Sequence, residues 1–157
     1  MAIIIEAPHE FGSVKKSLLY TIFLAGSIEN GKADDWQFKL SEQLNRFDNI
    51  LILNPRRRNW KPDLGGNELK KQITWEQEAI KQSNLVVFYF DPATKSPISL
   101  LELGECLGSH RPVIVYCPQT FFRYTNVEIT CMKYGIKLHS DYQQFVANIV
   151  TNISRFA

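Results

Sequence analysis

Short apolar runs alternate along the chain with longer segments in which apolar residues recur every three or four positions. Runs of the first kind, bounded by turn residues, are typical of strands buried on both faces. They lie at residues 20–25, 50–54, 85–90, 112–117 and 136–138. The segments with helical spacing lie at residues 35–47, 68–82, 99–108, 125–134 and 141–155. We therefore predict about five strands and five helices in alternation.

This alternation favours a mainly parallel sheet with right-handed crossovers and helices on both faces, the doubly wound α/β class. The opening segment at residues 2–7 is also apolar, and it could form either an added edge strand or an arm onto a neighbour. The 157 residues are 45% hydrophobic and contain no low-complexity tract. A single globular domain over residues 1–157 is the expected organisation.

Composition and charge exclude several classes of protein. A formal net charge of +2 is too small for general polyanion binding, so no nucleic acid polymer is expected as a partner. The longest apolar run is far shorter than the roughly 20 residues that span a bilayer, and no signal peptide is recognisable. We expect a cytoplasmic protein without membrane contact. The cysteines and histidines show no ligand spacing, so we expect no metal and no cofactor.

Two loops are the candidate binding elements. In doubly wound sheets, ligands bind beyond the carboxyl ends of the strands where the strand order reverses. In a flavodoxin-like order this crevice lies between the first and third main strands. The loop after the first, GSIENG, contains Gly26 and Ser27 and suits a hydroxyl-rich or phosphorylated ligand. The loop after the third, DPATKSPIS, contains Ser96.

Glu102 follows this second loop and has two interpretations. The spacing Ser99-Leu-Leu-Glu102 matches a capping box, in which the glutamate closes the first turn of a helix. Alternatively, its leucine neighbours and its place at the crevice indicate a partly desolvated carboxylate, ionised beside a helix N-terminus and suited to nucleophilic attack. Both interpretations remain open from the spacing.

Two further segments carry candidate residues. The sequence NPRRRNW, with Arg56, is either a solvated basic loop or a ligand loop that steadies an anion and stacks a base. Glu76, in ITWEQEA, lies on a predicted helix whose apolar stripe includes Leu69, Ile73 and Ile80. It is either a surface residue or part of a site.

Five motifs, taken in order, resemble the nucleoside 2-deoxyribosyltransferase superfamily over residues 23–131: FLAGSIENG, NPRRRNW, ITWE, SPISLLELG and RYTNVEITC. The resemblance implies a flavodoxin-like α/β fold and a homo-oligomer. It implies that Glu102 attacks C1′ of a deoxyribonucleoside, and that Glu76 takes the place of an aspartate at the sugar or in proton transfer. Asn126 resembles an asparagine that reaches the sugar's 5′ side from a neighbouring subunit.

Some residues depart from the superfamily's pattern. Phe23 stands where many members have a tyrosine that orients the nucleophile. Ser27 and Ser96 resemble the deoxynucleoside 5′-monophosphate N-glycosidases, in which a serine contacts phosphate. Glu29, however, stands where those hydrolases present an arginine, and a carboxylate would repel a dianion unless Arg56 or Arg57 compensates.

The leading hypothesis is N-glycosyl transfer on deoxyribonucleosides through a glutamyl glycosyl-enzyme intermediate at Glu102. The partners are then a deoxynucleoside or deoxynucleotide, a free nucleobase and further copies of the chain that share the active site. A hydrolytic nucleoside or nucleoside 5′-monophosphate N-glycosidase and a non-catalytic nucleotide-binding module remain alternatives.

Overall fold

The computed structural model describes residues 1–14, 16–29, 31–59 and 65–156. Within them the strands are β1 (Ile3–Glu6), β2 (Tyr20–Gly26), β3 (Ile50–Asn54), β4 (Leu85–Tyr89), β5 (Val113–Tyr116) and β6 (Leu138–His139). The α-helices are α1 (Trp36–Leu44), α2 (Gly66–Gln82), α3 (Pro97–Gly108), α4 (Tyr124–Lys133) and α5 (Tyr142–Phe156). A 3-10 helix, Lys16–Leu18, precedes β2.

The strands form one sheet in the order β1-β3-β2-β4-β5-β6, and every neighbouring pair is parallel. The predicted doubly wound α/β fold is confirmed, with a sixth strand beyond the five that were expected. That strand, β1, pairs with β3 at the edge of the sheet, which decides between the two interpretations of the N-terminal segment. The remaining five strands have the flavodoxin-like order.

Alternating side chains of the strands enter two separate cores. In β2, Phe23 and Ala25 face the core beneath α2, α3 and α4, whereas Ile22 and Leu24 face the core beneath α1 and α5. All seven residues of β2 are buried. Burial on both faces explains why the central strands are continuous apolar runs in the sequence.

The end of β2 lies unusually close to β4. Gly26 has a φ of +136°, and a methyl group at its Cα would lie 2.3 Å from the backbone oxygen of Tyr89. Only glycine fits this approach without strain. The next residue, Ser27, donates its backbone N–H to the same Tyr89 oxygen at 2.9 Å, so the loop leaves β2 in a fixed direction.

The capping-box interpretation of Glu102 is wrong, because α3 begins three residues earlier than a cap at Ser99 would require. Pro97 is its first residue, a position that suits proline because the missing N–H would have no helical partner. Ser96 precedes the helix with a left-handed φ of 49°. Ser99 therefore lies within the first turn, and Glu102 is the sixth helical residue rather than the third.

The three cysteines are free and buried. None of the helices in the described part of the chain is both long enough and apolar enough to cross a membrane.

Candidate active site

A cavity of about 590 Å³ lies beside the carboxyl end of β2, with α2 and α3 as its walls. Because β2 is flanked by β3 on one side and β4 on the other, the strand order reverses here. This is the position at which doubly wound sheets bind ligands. The described residues that line it are Phe23, Ala25, Gly26, Ile28, Glu29, Lys32, Pro55, Leu69, Gln72, Ile73, Glu76, Ser96, Pro97, Ile98, Ser99 and Glu102.

Two carboxyl groups from different helices face this cavity, Glu102 on α3 and Glu76 on α2. Burial raises the pKa of Glu102 to about 8, and the negative charges of Glu76 and Glu105 add to the shift. Glu102 makes no hydrogen bond to any residue that the structure describes. A carboxyl group with a pKa of about 8 is mostly protonated at neutral pH.

The raised pKa of Glu102 differs from the ionised carboxylate expected from the sequence. That expectation depended on a helix N-terminus beside the carboxylate, and the stabilising effect of a helix N-terminus falls off within the first turn. Since α3 begins at Pro97, Glu102 lies beyond that turn. Desolvation and the neighbouring carboxylates then determine its protonation.

Glu76 has a different environment. Burial raises its pKa, but a hydrogen bond from Gln72 and the positive charge of Arg57 act in the opposite direction. Gln72 Nε2 donates to Glu76 Oε1 at 2.8 Å and to the backbone oxygen of Pro55 at 3.0 Å. Arg57 Nε donates to Gln72 Oε1 at 2.7 Å. This chain of donors favours the ionised form of Glu76.

A cluster of three hydroxyl groups lies behind the cavity wall. The Oγ atoms of Ser27 and Ser96 are 2.6 Å apart, and Thr94 Oγ1 lies 3.0 Å from the first and 2.7 Å from the second. Ser27 Oγ also accepts the backbone N–H of Asp91 at 2.8 Å. All three hydroxyl residues are buried. The cluster joins the loops after β2 and β4. Ser96 lines the cavity, whereas Ser27 is not among the described lining residues.

Glu29 joins the same two loops through its carboxylate. Its Oε1 accepts backbone N–H groups from Lys95 at 2.5 Å and from Ser96 at 2.8 Å. These amides immediately precede α3, where the helix dipole favours negative charge. The side chain of Glu29 thus occupies a backbone anion site at the edge of the cavity.

Arg56 lies outside the cavity, although the sequence made it a candidate ligand residue. It donates to the backbone oxygens of Gly31, Ala33 and Asp34 at 3.2, 2.8 and 2.9 Å, and to Gln37 Oε1 at 3.3 Å. These bonds hold the segment that connects β2 to α1. Its contribution to the site is therefore indirect.

Phe23 and Asn126 differ in their relation to the cavity. Phe23 forms part of the wall, and its ring lies 6.3 Å from that of Trp75. It has no hydroxyl group to orient Glu102. Asn126 is exposed on α4 and is not among the described residues that line the cavity. Within one chain, the structure brings together Glu102, Glu76, Phe23, Gly26 and Ser96.

Sequence reasoning did not identify Gln72 or the hydrogen bonds of Glu29. Gln72 lies four residues before Glu76 on α2, a spacing at which polar side chains commonly hydrogen-bond, so the pair was detectable. The predicted apolar stripe of α2 also needs correction. Leu69 and Ile73 are each 44% exposed and line the cavity, whereas Gln72, Trp75 and Ala79 face the core.

Among the residues that the structure describes, no group of three or more His, Cys, Asp or Glu side chains is arranged to hold a metal ion.

Comparisons with known proteins give a family and a fold. The family described as nucleoside 2-deoxyribosyltransferase like matches residues 19–121. No curated protein matches the sequence. A crystal structure of a conserved protein from Enterococcus faecalis V583 superimposes with a TM-score of 0.51 at 17% identity, covering 82% of this chain and 87% of that one. This structural likeness supports the fold alone. The family match, by contrast, extends over most of the chain, and it shows that the protein belongs to the nucleoside 2-deoxyribosyltransferase-like family.

Proposed function

We propose that the protein transfers the deoxyribosyl group of a deoxyribonucleoside, breaking the bond between the base and C1′ with Glu102 as the nucleophile. The observation that carries this proposal is that two carboxyl groups, Glu76 on α2 and Glu102 on α3, line one cavity. Their mutual repulsion and burial favour a state with a single shared proton. Two coupled carboxyl groups with different environments can divide the roles of nucleophile and acid.

The first step uses that proton. As positive charge develops at C1′, ionisation of Glu102 becomes favourable, and its proton passes to Glu76. The C1′–N bond breaks with its electron pair going to the base, Glu76 protonates the departing base, and Glu102 forms an ester bond to C1′. In the second step a free base or water attacks C1′, Glu102 leaves as a carboxylate, and the attacking group's proton returns to the pair. This two-step displacement parallels that of retaining glycosidases.

The remainder of the cavity suits a nucleoside. Apolar side chains from three elements line it, including Phe23, Ile73 and Ile98, and the polar side chain of Gln72 bonds to Glu76 beside them. Ligand sites typically combine mainly apolar walls with a few converging polar groups. A flat base against the apolar wall would leave the sugar beside the carboxyl groups.

We include in the proposal that a second copy of the chain covers the cavity mouth. Ile98 lines the cavity and is 59% exposed. Large apolar side chains on α3 and α4 and in the segment before α4 are also exposed: Leu101, Phe122, Ile129 and Met132. Exposed apolar residues grouped in this way mark interaction surfaces. Asn126, on the same helix as Ile129, could then approach the site of the neighbouring subunit.

Hydrolysis is the second candidate, and the exposure of the cavity wall favours it. Leu69 and Ile73 are each 44% exposed, so water has access to the cavity in a single chain. Water would then resolve the glycosyl-enzyme ester unless a partner or a bound base excludes it. The same Glu102 serves both reactions.

The test is to incubate the protein with a deoxynucleoside, with and without a second free base, and to separate the products by chromatography. Base exchange supports transfer, and base release without an acceptor supports hydrolysis. Glu102→Gln should abolish both, whereas Glu105→Gln, which removes an exposed carboxylate from the same helix, should remain active. Full activity of Glu102→Gln would overturn the proposal, and so would the absence of products from the unaltered protein.

A further inference from the structure

We infer that Glu29 is a specificity-determining residue that excludes substrates with a phosphate at the 5′ end, so that the cavity accepts uncharged nucleosides. This inference rests on the proposed function and deepens it, because sequence reasoning left nucleosides and nucleoside 5′-monophosphates as alternatives. The central observation is that a carboxylate of the protein itself already occupies the backbone amides that an anionic ligand would use.

The geometry resembles that of a bound anion. One oxygen of Glu29 accepts two consecutive backbone N–H groups, from Lys95 at 2.5 Å and from Ser96 at 2.8 Å. Paired amides ahead of a helix are a common binding arrangement for phosphate and carboxylate groups. Glu29 and Ser96 both line the cavity, so this arrangement faces the ligand space. A phosphate entering here would have to displace the carboxylate.

The surrounding charges also oppose a dianion. Glu29, Glu76 and Glu102 line the cavity, and Lys32 is the one basic side chain among the described lining residues. A phosphate entering here would lie next to these acidic side chains, with a single basic side chain of the described lining to offset them. Like charges brought together at short range repel each other.

The two arginines that the sequence offered as compensation are already engaged. Arg56 donates to Gly31, Ala33, Asp34 and Gln37 and does not line the cavity.

Arg57 donates to Gln72 Oε1 and lies 3.6 Å from a carboxylate oxygen of Glu68. The hydroxyl groups of Ser27 and Ser96 bond to each other and to Thr94. Neither of the two serine hydroxyls suggested by the sequence as phosphate ligands is free in this arrangement.

The experiment compares a deoxynucleoside with its 5′-monophosphate in the unaltered protein, Glu29→Gln and Glu29→Ala. Glu29→Gln keeps the shape of the side chain and removes its charge, while Glu29→Ala opens the amides. We expect the unaltered protein to prefer the nucleoside in kcat/KM, and both variants to reduce that preference by roughly tenfold or more. Glu78→Gln removes an exposed carboxylate from α2 that does not line the cavity, and it should leave the preference unchanged.

A second measurement is independent of turnover. Inorganic phosphate is titrated into each protein while the backbone amide signals of Lys95 and Ser96 are followed by NMR. Saturable shifts in Glu29→Ala, absent from the unaltered protein, support the inference even if neither substrate is turned over and the proposed function fails. Saturable shifts in the unaltered protein, or no shifts in either Glu29 variant, would overturn it. An unchanged substrate preference in active variants would overturn it as well.

Discussion

The side-chain amide of Gln72 lies between Arg57 and Glu76, accepting a hydrogen bond from the first at 2.7 Å and donating one to the second at 2.8 Å. The arginine fixes which end of the amide carries the donor, because its N–H can only be met by the amide oxygen. Glu76 therefore receives an N–H rather than facing an oxygen. This donor lowers the pKa of Glu76, whereas Glu102 has no corresponding donor among the described residues.

Removing that amide should change the pH dependence of activity. In Gln72→Met, Glu76 loses its donor while its burial remains, so its pKa rises further. A raised pKa keeps the group protonated to higher pH, and the acid-side midpoint of the kcat/KM profile should move to higher pH. Gln77→Met, at an exposed glutamine of the same helix, should leave the profile unchanged. Gln72→Met also removes a buried polar side chain and so lowers the stability of the fold, but a loss of stability alone does not shift the midpoint of the pH profile.

The basic limb of the same profile should reflect Glu102. The proposed first step needs one proton on the pair, and burial raises the pKa of Glu102 to about 8. We expect kcat/KM to fall as pH rises through about 8, where the pair loses that proton. An activity still rising above pH 9 with a substrate that does not titrate there would contradict the shared-proton mechanism.

Glu102 should also destabilise the folded protein at high pH. Its pKa is raised from 4.5 to about 8 on folding, so the folded state binds more protons than the unfolded chain between these values. The free energy of unfolding therefore decreases as pH rises through this window and levels off above it. At pH 9, Glu102→Gln should be more stable than the unaltered protein by roughly 2 to 4 kcal/mol in chemical denaturation. This advantage should disappear near pH 4.

Glu42→Gln is the control for that measurement, because Glu105 itself contributes to the pKa shift of Glu102. Glu42 is exposed on α1 and does not line the cavity, so its replacement should change the stability by less than roughly 0.5 kcal/mol at pH 9. Equal stability of Glu102→Gln and the unaltered protein at every pH would show that Glu102 is not desolvated.

Gly26→Ala should be strongly destabilising. The added methyl group would lie 2.3 Å from the backbone oxygen of Tyr89, and the φ of +136° is strained for any L side chain. We expect a loss of roughly 3 kcal/mol or more in the free energy of unfolding. Gly12→Ala, where nothing lies within 4 Å of the new Cβ, should cost much less in the same denaturation experiment.

The proposed subunit contact should be sensitive to charge on α3. Leu101 is 68% exposed beside Ile98, and an aspartate there would place a charge in the apolar surface that we assign to a second copy. Leu101→Asp should lower the molecular mass seen in sedimentation and reduce activity at low protein concentration. Leu18→Asp, at a leucine 70% exposed in the 3-10 helix, is the control. A monomer with full activity in the unaltered protein would refute the shared site.

The sequence was most informative where burial alone determines structure. The central strands were predictable because apolar residues on both faces leave little ambiguity about a buried parallel sheet. The start of α3 was not predictable in this way. Ser99 with Glu102 forms a capping pattern that is as good as Ser96 followed by Pro97, and the two patterns place the first turn of the helix at different residues. A capping pattern describes one turn, whereas the end of β4 and the hydroxyl cluster determine where the chain turns into the helix.

Only those parts of the site could be predicted for which the residue type and the order of the motifs along the chain are sufficient. Glu76 and Glu102 could be selected, but their proton distribution depends on Gln72 and Arg57, which are distant in sequence from Glu102. Two members of the predicted apolar stripe of α2, Leu69 and Ile73, line the cavity. Periodicity shows that one face of a helix is apolar. It does not show whether that face packs against the protein core or lines a ligand cavity.

The lining of the cavity also defines what an inhibitor should look like. Among the described lining residues, the glutamates at positions 29, 76 and 102 are accompanied by one lysine, and the apolar walls beside them suit an aromatic ring. A compact saturated ring with a protonated nitrogen, joined to a flat aromatic group and lacking any acidic substituent, would match both regions. Such a cation would favour the ionised form of Glu102, so its potency should increase with pH until its own amine deprotonates.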